Sequence, residues 1–179
     1  MRGEIETLEE RIVYQNDYAT VWDDRVRFPD GHEGSYFRWS WNAPHGVGIL
    51  PVFDGKVLLI RAFRYQERGF IVEMPQGFGE PGQTPEDDAR RELHEETGLR
   101  AVSLEPLIKL GDNIVTHVFV AQVEPGVERR TNLAESTESI IDFVECPIAE
   151  ISPAYLSTIG ITGASTMAAL LALRLVTEQ

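Results

Sequence analysis

The sequence predicts an α+β chain with a mixed, largely antiparallel β-sheet, preceded by an antiparallel strand pair. Three observations lead there. Short runs rich in Val, Ile and aromatic residues recur along the chain, separated by turn residues, as strands are. One strongly capped helix interrupts them near the middle, and two further helical stretches come late. Strands and helices do not alternate one for one, which argues against regular βαβ repetition.

Residues 1–16 are Glu-rich and polar with few apolar positions, and no element is assigned to them. Tyr18–Phe28 reads as a strand, the turn-forming PDGHEG (Pro29–Gly34) follows, and Ser35–Trp41 resumes as a second strand. Val47–Phe53 and Lys56–Phe63 flank Asp54-Gly55, a two-residue hairpin signal. Phe70–Met74 is a short strand that stops at Pro75, which has no N–H for a ladder. After the loop GFGEPGQ comes a helix over Pro85–Thr97. Thr84 caps it, Pro85 suits its first position, Asp87 completes a T-x-x-D box and Gly98 ends it. Its apolar Ala89 and Leu93 lie four apart and face the core. Ala101–Leu110 and Val115–Val123 read as strands, Pro125–Thr137 as a polar loop and Ser139–Glu145 as another strand. A short helix over Ile148–Leu156 precedes a last one over Ser165–Thr177, with Met167, Leu170, Leu171 and Arg174 on one side. The organisation expected is residues 1–45 as N-terminal strands and 46–179 as the main domain, in one folding unit.

At 179 residues the chain is long enough for a sizeable core. No apolar run approaches the roughly 20 residues of a membrane span. The acidic start MRGEIETLEE is not a signal peptide. Cys146 is the sole cysteine, so no intrachain disulfide forms, and a reducing, cytoplasmic setting is expected. The formal net charge of −13 repels phosphate backbones and argues against general nucleic-acid binding. It repels a free nucleotide too, so an acidic protein that handles phosphate calls for a bridging cation.

RELHEETG, Arg91–Gly98, places Glu92, Glu95 and Glu96 on one helix face. Like charges at such spacing cost about 0.2–0.5 kcal/mol per pair. The cluster also sits in the C-terminal half of the helix, where the dipole disfavours anions. Arg91 can reach Glu95 at i,i+4, and few other cations are near. Carboxylates grouped against both effects suit a hard divalent cation such as Mg²⁺, with Mn²⁺ a second possibility. The preceding Gly77-Phe78-Gly79-Glu80-Pro81-Gly82 fits G-x-G-x-x-G, but Gly82 comes before the helix cap and Glu80 would face a pyrophosphate. A dinucleotide fingerprint is therefore rejected. The glycines instead let a loop approach a metal-phosphate site closely.

Gly77, Arg91-Glu92-Leu93, Glu95-Glu96 and Gly98-Leu99 resemble the Nudix box, G-x5-E-x7-R-E-U-x-E-E-x-G-U, where U is bulky and apolar. Eight of its nine defined positions agree in one register. The resemblance implies a Nudix-type α/β/α sandwich round a mixed sheet, and divalent-metal-dependent hydrolysis of a nucleoside diphosphate linked to another moiety. It also implies Glu92 and Glu96 as main metal ligands, and Glu95 as a further ligand or a support. Arg91 orients Glu95 or residue 83, and a backbone carbonyl at Gln76 or Gly77 completes the shell. The departure is Gln83, where the family has a Glu that commonly contacts the box Arg. Its amide oxygen can still accept from Arg91, and Glu80 offers partial compensation. His94 fills the variable position and is expected to face solvent, while His32, His45 and His117 are unassigned.

Other stretches resemble the ADP-ribose and nucleotide-sugar pyrophosphatases of that family. TNLAESTESI is similar to their late acidic loop, which implies Glu138 or Glu135 as the catalytic base. VLLIRAFRY resembles a strand written R-Q-x-R-Y, so Arg61 and Arg64 become phosphate-binding candidates. EMPQG resembles E-x-P-A-G, placing Glu73 and Gly77 at the substrate, and GITGASTMAALLAL resembles the C-terminal segment. The aromatic-rich first 45 residues resemble the strands through which the subfamily forms homodimers. A small-molecule nucleotide sugar is the expected partner, with no nucleic acid and no membrane. The alternative is a Nudix-like module that binds a nucleotide sugar without cleaving it, which Gln83 favours.

Overall fold

The structure is a computed structural model that describes residues 3–111, 113–124 and 139–178. Glu135, Glu138 and the whole of the expected polar loop, Pro125–Thr137, fall outside the described residues. The chain divides into two compact units, Met1–Pro44 with Asp112–Ile114, and His45–Gly111 with Val115–Gln179.

The first unit holds one four-stranded sheet. β3 (Ala19–Arg27) and β4 (Glu33–Trp41) form the expected antiparallel pair, with β4 starting two residues early. Two strands join it that the sequence did not announce, β1 (Glu6–Glu9) and β2 (Ile12–Gln15). Both pair antiparallel with β3, β1 along its C-terminal end and β2 along its N-terminal end. β1 reads as polar, β2 is a short apolar run, and both are exposed nearly throughout, so neither shows an alternating buried face in the sequence. Their pairing is fixed by the ladder and, for β1, by the Arg27–Glu6 ion pair, not by an alternating buried face.

The second unit is built on a seven-stranded sheet with the path β11-β6-β5-β10-β9, with β7 on β6 and β8 on β5. Its strands are β5 (Gly46–Phe53), β6 (Lys56–Arg64), β7 (Gly69–Glu73), β8 (Gln76–Phe78), β9 (Ala101–Gly111), β10 (Val115–Val123) and β11 (Ile140–Pro147). Among the described residues only β5 and β10 run parallel, so the sheet is mixed. The β5–β6 hairpin turns at Asp54 and Gly55, with φ of 47° and 71°, the paired left-handed geometry that Asp-Gly favours.

Side-chain alternation splits the core into two layers, one on each face of this sheet. Val47, Ile49, Leu58, Phe119 and Ala121 pack with Ala89 and Leu93 of α1 (Pro85–Thr97). Leu50, Val57, Leu59 and Val118 pack with Leu156 of α2 (Pro153–Thr158) and Ala169, Leu170 and Leu173 of α3 (Ala164–Thr177). This is the α/β/α sandwich. Buried aliphatic side chains of this kind each contribute about 1.5–3 kcal/mol.

Three local expectations need correction. β8 lies inside what reads as the glycine loop. It forms because β6 pairs with β5 only at Val52 and Phe53, leaving Gly46–Gly48 to Gln76–Phe78. The helix over Ile148–Leu156 is broken into a 3₁₀ turn, Ile148–Glu150, and α2. Pro153 cannot continue a helix but suits the first position of a new one, capped by Ser152. On α3 the fully buried stripe is Thr166, Ala169, Leu170 and Leu173, while Met167 and Leu171 flank it half-buried. Arg174, half-buried, bridges the Ile148 carbonyl and Glu178. Small residues let the helix lie close to the sheet, and Thr166 Oγ1 accepts from the Met74 N–H at 3.3 Å.

Candidate active site

Helix α1 carries the site, and its ends are fixed locally. Thr84 accepts from the Asp87 N–H, and Gly98, at φ 74°, returns its N–H to the His94 carbonyl. The core then sets its rotation. With Ala89 and Leu93 against the sheet, the neighbouring edge of the helix presents Asp88, Glu92 and Glu96, spaced i, i+4, i+8. This acidic ridge is not a solvated face: Asp88 and Glu96 are 1 % exposed and Glu92 is 6 %. Glu95 lies beside it, half-buried.

Each acid is held by a specific donor. Glu96 Oε2 accepts from the Gln76 N–H at 2.8 Å, which ties the helix to β8. Glu92 lies over Gly77, where a Cβ would stand 2.0 Å from its Oε1. Arg91 is the hub. Its Nη1 is 2.9 Å from both Glu92 Oε1 and Glu95 Oε2, and its Nη2 donates to the Phe78 carbonyl at 2.9 Å and Asp88 Oδ1 at 3.2 Å. Its Nε is 3.7 Å from Glu80 Oε1. Burial opposes the guanidinium charge, yet Glu92, Asp88 and Glu95 together hold its pKa above the ordinary arginine value.

The expected Arg91–Gln83 contact is absent among the described residues. Gln83 is exposed and contributes its backbone N–H to the Glu80 carbonyl. Glu80 and Asp88 take its place at Arg91. Gln83→Glu is therefore expected to raise kcat/KM by less than about threefold, as exposed substitutions have small effects. A tenfold gain in a steady-state assay would mean that residue 83 engages Arg91 after all. His94 also departs from expectation, since it is half-buried and its Nδ1 finds no hydrogen-bond partner among the described residues.

A second polar group lies at the end of β7. Glu73, 4 % exposed, accepts from Arg64 Nε at 2.7 Å and from the Gln76 side chain at 2.9 Å. Burial pushes its carboxyl pKa up, against the pull of Arg64 and Gln76. Arg61 and Arg64, three apart on a regular strand, point to opposite faces of the sheet. Gln76 touches both groups, with its side chain on Glu73 and its N–H on Glu96.

Sequence reasoning missed the pair at the other end of the helix edge. His45 Nε2 lies 2.9 Å from Asp88 Oδ2, both residues buried, and His117 stacks edge-on to His45 at 5.8 Å. Burial, then Lys109 and His45, depress the His117 pKa. Asp88 could have been found as the residue four before Glu92 on the same edge. Nothing in the sequence around His45 joins it to that helix.

Among the described residues no three His, Cys, Asp or Glu side chains converge as a closed metal cage. The donor set nonetheless fits a hard divalent ion, because buried carboxylate oxygens line one edge and Gly77 leaves room for one of them. Mg²⁺ characteristically takes one or two carboxylates and completes its shell with water and substrate phosphates. No helix among the described residues is long and apolar enough to cross a membrane.

Residues 43–160 match the family profile for the NUDIX domain, and residues 5–39 match that for the nucleoside diphosphate sugar hydrolase N-terminal domain. The ADP-ribose pyrophosphatase of Bacillus subtilis (strain 168) is 32% identical over 149 residues, 79% of this chain and 76% of that protein. The methanol dehydrogenase activator of Bacillus methanolicus is 27% identical over 155 residues, 82% of this chain and 80% of that protein. A crystal structure of an ADP compounds hydrolase superposes with a TM-score of 0.80 at 24% identity, covering 99% of this chain and 95% of that one, a likeness of fold.

Proposed function

Because this chain belongs to the Nudix hydrolase family, we propose that it cleaves the diphosphate of a nucleotide sugar, ADP-ribose or a close relative. The products are a nucleoside monophosphate and a sugar phosphate. The observation that carries this reading is the buried Glu92–Glu96 edge, with Arg91 and Gln76 fixing the carboxylates. The N-terminal match to a nucleoside diphosphate sugar hydrolase domain, and a relative named ADP-ribose pyrophosphatase, support the substrate class.

Glu92 and Glu96, with Glu95 and the backbone at Gly77, are the residues that would hold a divalent cation, Mg²⁺ or Mn²⁺. Such an ion supplies Lewis acidity and offsets the repulsion between a net −13 chain and a diphosphate. Arg91 sets the directions of Glu92 and Glu95. Arg64, anchored by Glu73, is the side chain proposed to engage the phosphates, and Arg61, on the opposite face of the sheet, is left out of that role. Water attacks one phosphorus, the P–O anhydride bond breaks, and the bridging oxygen leaves on the other phosphate. Glu138 or Glu135 takes the proton of the attacking water.

A panel of nucleoside diphosphate compounds, incubated with Mg²⁺ or Mn²⁺ and scored for monophosphate release, tests the proposal. Turnover of a nucleotide sugar in preference to nucleoside triphosphates supports it. Tight binding with no turnover across the panel would transfer support to the binding module. Gln83 was the ground for that alternative, and Arg91 is held without it.

The first unit is proposed to mediate a homodimer. Ile12, Val13, Tyr14, Tyr36 and Phe37 are all about half exposed or more, an unusual apolar surface for a small sheet. Light scattering should give twice the mass of one chain, and Tyr14→Glu with Phe37→Glu should reduce it to that of a monomer. A wild-type monomer at micromolar concentration contradicts the assignment.

A further inference from the structure

We propose that the buried His45–Asp88 pair is a positioning device that fixes Arg91 and the backbone at Glu80, and through Arg91 aims Glu92 and Glu95. The proposal rests on the hydrolase reading for its catalytic consequence, but the geometry stands by itself. Asp88 is almost fully buried, and both its oxygens are taken. Oδ2 faces His45 Nε2 at 2.9 Å, Oδ1 accepts from Arg91 Nη2 at 3.2 Å, and the Glu80 N–H lies 3.3 and 3.2 Å from the two. A carboxylate only accepts, so His45 must present its Nε2 proton to it. His45 in turn fits only because residue 79 is glycine, where a Cβ would stand 2.3 Å from Nε2. The Gly79 N–H returns to the His45 carbonyl at 2.8 Å, closing the loop onto β5.

One carboxylate thus joins β5, the glycine loop and α1 at one point. Without Asp88, Arg91 keeps Glu92, Glu95 and the Phe78 carbonyl, but those two acids are the groups it has to aim. With Asp88 gone, the Phe78 carbonyl is the one remaining hydrogen-bond anchor among the described residues outside the pair being aimed. Asp88 and Phe78 are its fixed reference points, and Asp88 is the charged one. Supporting groups of this kind typically change metal affinity or activity by about 10–100-fold when removed. Both oxygens of Asp88 are engaged by protein donors, Arg91 among them, so the pair acts through Arg91.

The test compares His45→Ala, His45→Gln and Asp88→Asn with wild type in the whole chain. Three quantities are read: Mn²⁺ affinity by calorimetry without substrate, kcat and KM for ADP-ribose, and solvent exchange of the Arg91 Nε–H by nitrogen NMR. Its Nε is buried, so slow exchange reports the fixed guanidinium directly. We expect His45→Ala and Asp88→Asn to weaken Mn²⁺ binding about tenfold or more and to lower kcat by a similar factor. KM should stay within about threefold, and Arg91 Nε–H exchange should accelerate. His45→Gln, which keeps a donor toward Asp88, should recover most of each effect. If folded His45→Ala, or His45→Gln should the alanine variant fail to fold, lost its Arg91 protection while kcat and Mn²⁺ affinity stayed at wild-type values, the pair would be only structural. Unchanged Arg91 exchange in Asp88→Asn overturns the proposal directly. A wild-type protein with no turnover refutes the hydrolase reading instead, and the exchange experiment still decides the positioning claim.

Discussion

Glu96→Gln is expected to lower kcat by about 10²–10³-fold while leaving the fold intact. The amide keeps an oxygen for the Gln76 N–H, so the link between α1 and β8 survives. The charge that makes the position useful to a cation does not. Interactions of a bound metal with developing charge amount to several kcal/mol, and each 1.36 kcal/mol is a factor of about ten in rate. Relieving the repulsion along the Asp88–Glu92–Glu96 edge should hold the melting temperature level or raise it slightly. Loss of turnover with unchanged melting therefore separates a functional charge from a structural one. Full activity in Glu96→Gln contradicts the role proposed for the ridge.

Gly77→Ala should be nearly as damaging, for a steric reason. The new Cβ would stand 2.0 Å from Glu92 Oε1 and 2.5 Å from Oε2. The atoms it strikes belong to the end of a flexible side chain, so the carboxylate moves and the backbone does not. Overpacking in interiors costs about 1–3 kcal/mol, and the lower end applies here. The displaced carboxylate leaves both Arg91 and the edge it shares with Glu96, and kcat should fall at least tenfold with stability only mildly reduced. Measured kcat alongside thermal melting checks this. An active Gly77→Ala enzyme would mean that the position of Glu92 against Gly77 is unimportant to turnover.

The parts of the fold that could be read from the sequence are those fixed by neighbours in the chain. Thr84, Pro85, Asp87 and Gly98 bound α1 because capping is local chemistry, and Asp54-Gly55 announces its hairpin for the same reason. The carboxylates of RELHEETG could be found because three charges on one face stand out against their cost. What stayed hidden depends on contacts distant in sequence. β1 and β2 carry no buried face and take shape from pairing with β3. β8 exists because β6 leaves part of β5 unpaired. His45 and Asp88 are 43 residues apart and become partners only when β5 packs beside α1. From the sequence, the glycines suggest freedom for a loop near phosphate. Gly77 and Gly79 instead make room for Glu92 and His45, two side chains of the protein itself.

The most direct test of the central claim is a calorimetric titration of Mn²⁺ and Mg²⁺ into the folded protein, alone and with a non-hydrolysable ADP-ribose analogue. Saturable binding that tightens with the analogue and is lost in Glu96→Gln is the expected result. If neither ion binds under either condition, the acidic edge of α1 has some other purpose.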